Sequence, residues 1–513
     1  MKLMQASSIS KIDNYAEEQL KISKKDLVMK SGRAAFCAIA DEVKQDSRVI
    51  IFAGKGNNGA DGYALAKILH PLCRVKVIDV FGAGQRTEEG KYYLNLCISE
   101  GVEIKPFSEV QDEEILCADV LVDAILGTGV SGEFGSELKR AAVLIESSSA
   151  EVKLAIDVPL GANPDTGTVV NEAPHFDKTV ALSFAKPGVL SYPAKEYSGE
   201  VLFFDLDLPG EEILSHFPTD FEYVDSDFAK KALPGRGKNT NKGSFGRLSL
   251  FAGSSAYPGA PRLALEAALR GGVGFVEFFG EESMNKEMLS LFPEAIYKVR
   301  SPFKKISEEE AKRIASSLSS STAVIVGPGG GNSQGMACFV KALLTSEGCP
   351  VIFDADGINA LAELMKDDKN LLASSSRKVI LTPHPGEFSR LAGIPVSQIQ
   401  ANRLESAKTF AQREGVVLLL KGAGSITTDG KKVYINSTGS EALAKAGSGD
   451  ALAGLVGAFV ATGSFASLSE AAALAAYIHG AAGDSLGEEF SSYGVTPSDL
   501  PKEMARQIRL VEI

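Results

Sequence analysis

Two glycine-rich stretches hold the residues best suited to chemistry. The first, residues 439–455, reads GSEALAKAGSGDALAGL: the small run Ala446-Gly447-Ser448-Gly449 leads into Asp450 and an apolar stretch that reads as a helix. Glycines let the backbone approach a ligand closely, and a first helical turn presents unpaired N–H groups at the positive end of the helix dipole. Together these make a seat for an anion. A carboxylate in the same turn repels a bare phosphate. It makes sense if Asp450 accepts a proton from a hydroxyl beside that phosphate, with the Gly447–Gly449 amides neutralising a phosphoryl group in transfer. The plainer account of an isolated Gly-x-Gly-Asp is a loop with Asp450 as a helix cap.

The second stretch is GKGNNGADG, in which Gly54, Gly56 and Gly59 fit the G-x-G-x-x-G dinucleotide turn and Asp79 supplies the downstream acid. Asn57 and Asn58 crowd that turn, and Asp61 puts negative charge where a pyrophosphate would lie. These groups suit a cation or a substrate hydroxyl better. Asp61, Asp123 and Asp157 stand at three strand ends. Singly, each reads as a cap or turn residue. Converging on one crevice, they would offer oxygen ligands for a hard cation and a candidate base.

The elements that must position these groups alternate. Apolar runs at 48–53, 74–80, 120–124, 153–158 and 178–184 are separated by helical patterns, after two helices within 9–45 around Leu27-Val28-Met29, where Gly32 allows close contact. Continuous apolar strands alternating with helices imply a parallel, doubly wound sheet whose ligands sit beyond the strands' carboxyl ends. Residues 210–225 read as a linker, and the basic loop 234–243 as an entrance or phosphate-side lid of a second domain. Further runs at 248–252, 273–279, 323–326, 351–354, 379–381 and 416–421 each end in a glycine or polar motif.

At 513 residues the chain is long enough for two to four domains. A net charge of −12 that no basic block offsets argues against a nucleic-acid binder. Six scattered cysteines with no C-x-x-C pair suggest free thiols in a reducing compartment rather than a zinc site. No secretory signal is visible, and no apolar run approaches the roughly 20 residues of a membrane span. A cytoplasmic protein is expected.

GKGNNGADG, DAILGTGVSGE and AIDVPLGANPDTG, with FAKPG and VLFFDLDLP, resemble the YjeF N-terminal domain, the NAD(P)H-hydrate epimerase. The resemblance covers about residues 1–215 and implies a Rossmann-like doubly wound α/β sheet that interconverts the C6 epimers of hydrated NAD(P)H. It places Asn57, Asn58, Gly59, Ala60 and Asp61, with Gly127, Thr128, Gly129, Val130, Ser131, Gly132 and Glu133, on the substrate. Asp157 becomes the substrate-side base. Asn58 and Asp123 become potassium ligands. Where the family has a potassium-site serine this chain has Leu160, which can offer only its backbone.

Residues 226–513 resemble the ADP/ATP-dependent NAD(P)H-hydrate dehydratases, a ribokinase-like α/β branch, through GPGGG, DADGIN, TPHPGE, KGAGS, GSGD and GVTPSDLP. This implies substrate contacts at Ala260, Gly329, His384 and Asp450, with Asp450 catalytic. Lys421, Gly422, Ala423, Gly424, Ser425 and Gly449 fall on the nucleotide, which brings magnesium. Departures are Asn241 for a histidine, Gly330 for the leucine of GPGLG, and Gly357 in DADG. The implied partners are hydrated NADH and NADPH with ADP or ATP, and the family habit is a homo-oligomer. Three rivals stand beside this reading: a sugar or vitamin kinase, an NAD-linked dehydrogenase using GKGNNG, and a non-catalytic binding module in the front half.

Overall fold

The computed structural model describes residues 1–82, 84–127 and 134–512. They pack as two compact units, one of residues 2–221 with 401–403, the other of residue 1 with 222–400 and 404–512. The first unit's sheet comprises β1 (Arg48–Ala53), β2 (Arg74–Asp79), β3 (Glu103–Pro106), β4 (Val120–Ala124), β5 (Val152–Ile156), β6 (Lys178–Leu182) and β7 (Glu200–Phe204). Their spatial order is β3-β2-β1-β4-β5-β6-β7, and every pairing is parallel. The order reverses between β1 and β4, which leaves a crevice at their carboxyl ends, where such sheets hold ligands.

β1 and β4 match their apolar runs, whereas β2, β5 and β6 end one or two residues before theirs do. The chain after β5 and β6 turns through Asp157 (φ 68°) and Ser183 (φ 49°), left-handed conformations that cannot continue a strand. The edge strand β3, Glu-Ile-Lys-Pro, has no apolar run to announce it. Helices α1 (Ala6–Glu18), α2 (Lys24–Ile39) and α3 (Asn57–Leu69) complete the part that matters here. Ser23 caps α2 by accepting from the Asp26 amide. A Cβ on Gly32 would stand 2.9 Å from the Ala64 backbone of α3, the close contact expected of that glycine. The stretch read as a linker is structured: Gly210–His216 is helical and Phe221–Val224 is a strand.

The second unit's central sheet comprises β8 (Arg247–Phe251), β9 (Phe275–Gly280), β10 (Ile296–Val299), β11 (Ala323–Val326), β12 (Val351–Phe353), β13 (Val379–Leu381), β14 (Val417–Leu420), β15 (Ile426–Thr428) and β16 (Val433–Asn436). These run in the order β16-β15-β14-β13-β12-β11-β8-β9-β10, parallel from β14 to β10 and antiparallel through β14-β15-β16. Again the order reverses, here between β8 and β11. The site uses α4 (Gly259–Arg270), α5 (Asp356–Asp367), α6 (Pro385–Ala392), α7 (Ser448–Thr462) and α8 (Leu468–Gly494). The small residues of α7 wedge it between α4 and the sheet. A Cβ on Gly454 would meet the Ala264 carbonyl at 2.2 Å, and one on Gly457 would meet Ile325 at 2.3 Å.

The basic loop lies elsewhere than expected. Arg236 stacks on Phe245, 3.5 Å from the ring centre, and donates to the Gly272 carbonyl at 2.7 Å, just past the end of α4. The motif end of α4, at Gly259, is about 18 Å away at 1.5 Å per residue. The loop therefore closes the floor of the domain and forms no lid over the strand-end motifs. No helix among the described residues is long and apolar enough to cross a membrane.

Candidate active sites

A cavity of about 400 Å³ opens beyond the carboxyl ends of β1, β4, β5 and β6, with α1 and α2 forming its other wall. Asn57, Asn58, Asp61, Gly127 and Asp157, all expected on the substrate, line it together. Gly59 and Ala60 are buried at the start of α3, where Gly59 serves packing: a Cβ there would meet the Gly54 carbonyl at 2.0 Å. Gly54 is equally constrained, 1.8 Å from the Ile125 carbonyl by the same measure, whereas Gly56 faces open space. Thr128, Gly129, Val130, Ser131, Gly132 and Glu133 lie outside the described residues.

Asp157 is ion-paired with Lys186, whose side chain is 2% exposed. Two further carboxylates feel that ammonium. Burial, then Asp157 and Asp13, push Asp61 well above the ordinary carboxylate range. Burial, together with Asp157 and against Lys186, raises Asp13 to about 6. Sequence reasoning missed both Asp13, which looks like one polar residue of an amphipathic helix, and Lys186, which was visible in FAKPG but had no assigned role. Asp79 is not available to a ribose. It is ion-paired with Arg86, which also donates to the Gly82 carbonyl at 2.8 Å.

Asn58 donates its Nδ2 to the Leu126 carbonyl at 2.9 Å, which fixes the amide, and its buried Oδ1 has no partner among the described residues. Asp123 accepts from the Ile125 amide at 3.0 Å and the Leu160 amide at 2.8 Å, and burial raises it to about 7. An orphaned carbonyl oxygen and an under-compensated carboxylate suit a monovalent cation. The Leu160 side chain is fully buried in an apolar cluster with Phe134, Ala155 and Phe176, so only its main chain engages Asp123. Leu160→Ser is therefore expected to destabilise the first domain by about 3 kcal/mol through the cavity it leaves. A lower thermal unfolding midpoint, with no gain in potassium dependence, is the readout.

In the second unit the strand-end motifs also converge. The Lys421 ammonium lies 2.8 Å from Asp354 Oδ1, which also accepts from the Thr382 hydroxyl at 2.8 Å. Burial works against its charge, but Asp354 and Glu387 outweigh that and hold Lys421 above its usual pKa. A Cβ on Gly449 would stand 3.2 Å from Lys421 Nζ, so the helix start and the lysine face each other. Burial, then Asp354, raises Asp450 to about 7 against the pull of Lys421, with Asp356 and Glu387 adding to the rise.

Ala260 and Gly329 touch: a Cβ on Gly329, at φ 60°, would meet Ala260 Cβ at 2.7 Å. His384 caps α6, its Nδ1 accepting from the Gly386 amide at 3.0 Å, while burial and Lys421 lower its pKa. Gly422, Ala423, Gly424 and Ser425 form the turn from β14 to β15, with the Ser425 hydroxyl donating to the Gly422 carbonyl at 3.0 Å. The anion seat is narrower than its sequence implies, because the Ser448 amide donates to the Lys445 carbonyl at 3.2 Å. Ser448 is also tied to α8, its hydroxyl 3.0 Å from His479 Nε2, and burial lowers His479 to about 4.

The profile described as NAD(P)H-hydrate dehydratase matches residues 248–506, and that of YjeF-related protein N-terminus matches 24–188. The bifunctional NAD(P)H-hydrate repair enzyme Nnr of Coxiella burnetii is 31% identical over 505 residues, covering 97% of both chains. The chain belongs to the bifunctional NAD(P)H-hydrate repair enzymes. The Pyrobaculum aerophilum enzyme of the same name is 32% identical over 98% of both chains, and that of Escherichia coli 30% over 98% of this chain and 93% of its own. Among solved structures, the ADP/ATP-dependent NAD(P)H-hydrate dehydratase of Bacillus subtilis, co-crystallised with ATP and Mg2+, is 29% identical. It covers 57% of this chain and 99% of its own, with a TM-score of 0.49.

The departures of this repair enzyme from its family's motifs have local causes. The space a side chain at Gly330 would need is filled by Met336, 2.3 Å from a Cβ there, and by Phe303 at 3.2 Å. Gly357 lies under the Val326 carbonyl, 2.5 Å from where its Cβ would be, so no larger residue fits that turn. Asn241 accepts from the Gly243 amide at 2.8 Å and caps the short turn that follows it.

Proposed function

We propose that the two sites act in series on hydrated NADH and NADPH. The first-domain cavity interconverts the R and S epimers at ring carbon C6, and the second-domain site converts the S form to NAD(P)H at the expense of ADP or ATP. The single observation that carries the reading is the placement of Lys421, itself held by Asp354, against the glycine-rich helix start that carries Asp450. A base that titrates near neutrality faces a cation suited to a nucleotide phosphate.

Asp450 takes the proton of the C6 hydroxyl as that oxygen attacks the terminal phosphoryl group. The free amides of the α7 first turn and Lys421 hold the phosphates. ADP or AMP departs as the new O–P bond forms. The C6–O bond then breaks, the phosphate leaving as the ring nitrogen's lone pair forms N1=C6, and loss of a C5 proton to solvent returns those electrons to nitrogen and restores the C5=C6 double bond. Three carboxylates (Asp354, Glu387 and Asp450) act on Lys421 and Asp356 adds to the charge at Asp450, so the site accepts a nucleotide best when its charge arrives neutralised by magnesium. Magnesium suits such sites because it binds largely through phosphates and water. In the first domain Asn58 Oδ1, Asp123 and the Leu160 main chain would hold potassium, whose charge would compensate the buried carboxylate. Asp157 acts on the substrate there.

A homo-oligomer belongs to the same reading, supported by apolar Leu289, Leu291 and Val299 exposed around the edge strand β10. Six free cysteines support a reducing, cytoplasmic setting. The test is to incubate separated epimers with ATP or ADP and follow the absorbance of the reduced ring. The S epimer is expected to be restored with or without potassium, and the R epimer only when potassium is present. Failure to restore S, with phosphorylation of a sugar or hydroxymethylpyrimidine instead, would replace this reading with a kinase.

A further inference from the structure

We propose that Asp13, on α1, is a catalytic acid of the first-domain cavity, protonating the C6 hydroxyl as it departs while Asp157 receives a proton from water adding to the opposite ring face. The inference rests on the epimerase reading of this cavity. Three observations carry it. Asp13 lines the cavity from the helical wall, whereas Asp157 and Lys186 line it from the strand-end wall. Asp157 is paired with Lys186, but Asp13 has no hydrogen-bond or ion-pair partner among the described residues. The third carboxylate, Asp61, is buried at the base of α3, 7% exposed, on the opposite wall from α1.

The charged groups facing Asp13 are Lys186 and Asp157 from the strand ends, Asp61 from α3, Lys24 from α2 and, further off, Glu89. Their balance with burial leaves Asp13 near 6, where a carboxyl both gives and regains a proton at physiological pH. The first matched stretch begins at residue 24, so α1 lies outside it and Asp13 is not visible from the family's motifs.

The step balances without an oxidant or reductant. The C6–O bond breaks as the ring nitrogen's lone pair forms N1=C6, and the departing oxygen takes the Asp13 proton and leaves as water. A water on the other face forms the new C6–O bond, the π electrons return to N1, and its surplus proton passes to Asp157. One proton is given and one received, and exchange with solvent resets the pair.

The experiment follows R-to-S conversion by the full-length enzyme against pH, corrected for the uncatalysed rate. Wild-type epimerisation is expected to fall as pH rises above about 6, as Asp13 loses its proton. Asp13→Asn should lower the rate at least about 100-fold and abolish that dependence, with S-epimer dehydration unchanged. Asp13→Glu should keep the pH limb. An Asp13→Asn enzyme within twofold of wild type, or one that keeps the limb, overturns the proposal. Asp157→Ala, run in parallel, separates the two readings. If it too converts R normally, the epimerase assignment fails and takes Asp13 with it. If it is inactive while Asp13→Asn is normal, only the role of Asp13 is lost.

Discussion

Asp450→Asn should abolish nucleotide-driven recovery of NAD(P)H from the S epimer, by about a thousandfold or more, while R-to-S conversion continues. The substitution keeps the size and polarity of the side chain, so the loss isolates proton acceptance. Removing a positioned general base costs roughly 100- to 10,000-fold, or about 3 to 5 kcal/mol of barrier. Nucleotide affinity should change little or improve, because one of the three carboxylates acting on Lys421 becomes neutral. The pH dependence gives an independent check. The reactive form of Asp450 is ionised, and burial with Asp354 raises its pKa to about 7. Wild-type kcat/KM should therefore climb with pH, tenfold per unit well below 7, and level off above it. A variant enzyme retaining both rate and slope would show that another group takes the proton.

The sheets and the strand-end motifs were legible in the sequence because buried parallel strands are continuous apolar runs and ligand loops must follow them. β1, β4 and β11 coincide with such runs. What the sequence concealed was local in a different sense. The edge strand β3 is half-exposed and mixed in composition, and β15 and β16 form a short antiparallel meander with no crossover helix to frame them. The basic loop 234–243 suggested a phosphate site by composition alone, yet the contact of Arg236 with Phe245 and Gly272 is a three-dimensional fact.

Candidate site residues divide the same way. Asp157 directly follows a buried apolar strand and Asp450 follows the Gly-Ser-Gly run that opens α7, so both were readable. Asp13 reaches the cavity only because α1 folds back over β6, where the Met4 amide donates to the Ala185 carbonyl at 3.0 Å. The glycines of GKGNNG also carried two meanings. Gly54 and Gly59 are required for strand–helix contact, whereas Lys55, Gly56 and the asparagines line the cavity. That is why the motif matches a dinucleotide turn while Asp79 is engaged by Arg86.

Lys186→Met should cost the first domain both activity and stability, and the two losses should separate on adding a second substitution. Lys186 is 2% exposed and is the ammonium paired with Asp157. Its removal leaves Asp13, Asp61 and Asp157 in one cavity without that counter-charge. Breaking one side of a buried pair typically costs about 3–5 kcal/mol, which should appear as an early unfolding transition of the first domain. Epimerisation should fall about 100-fold, because Asp157 loses the group that holds its carboxylate in place. Residual activity should persist to higher pH, since Lys186 is the chief charge lowering Asp13 from its buried value and its loss moves that acid further up. Adding Asp157→Asn to Lys186→Met removes the uncompensated charge and should recover most of the stability but none of the epimerisation. A double variant that regains both would show that Lys186 serves only to keep the fold together, and that the proton acceptor lies elsewhere in the cavity.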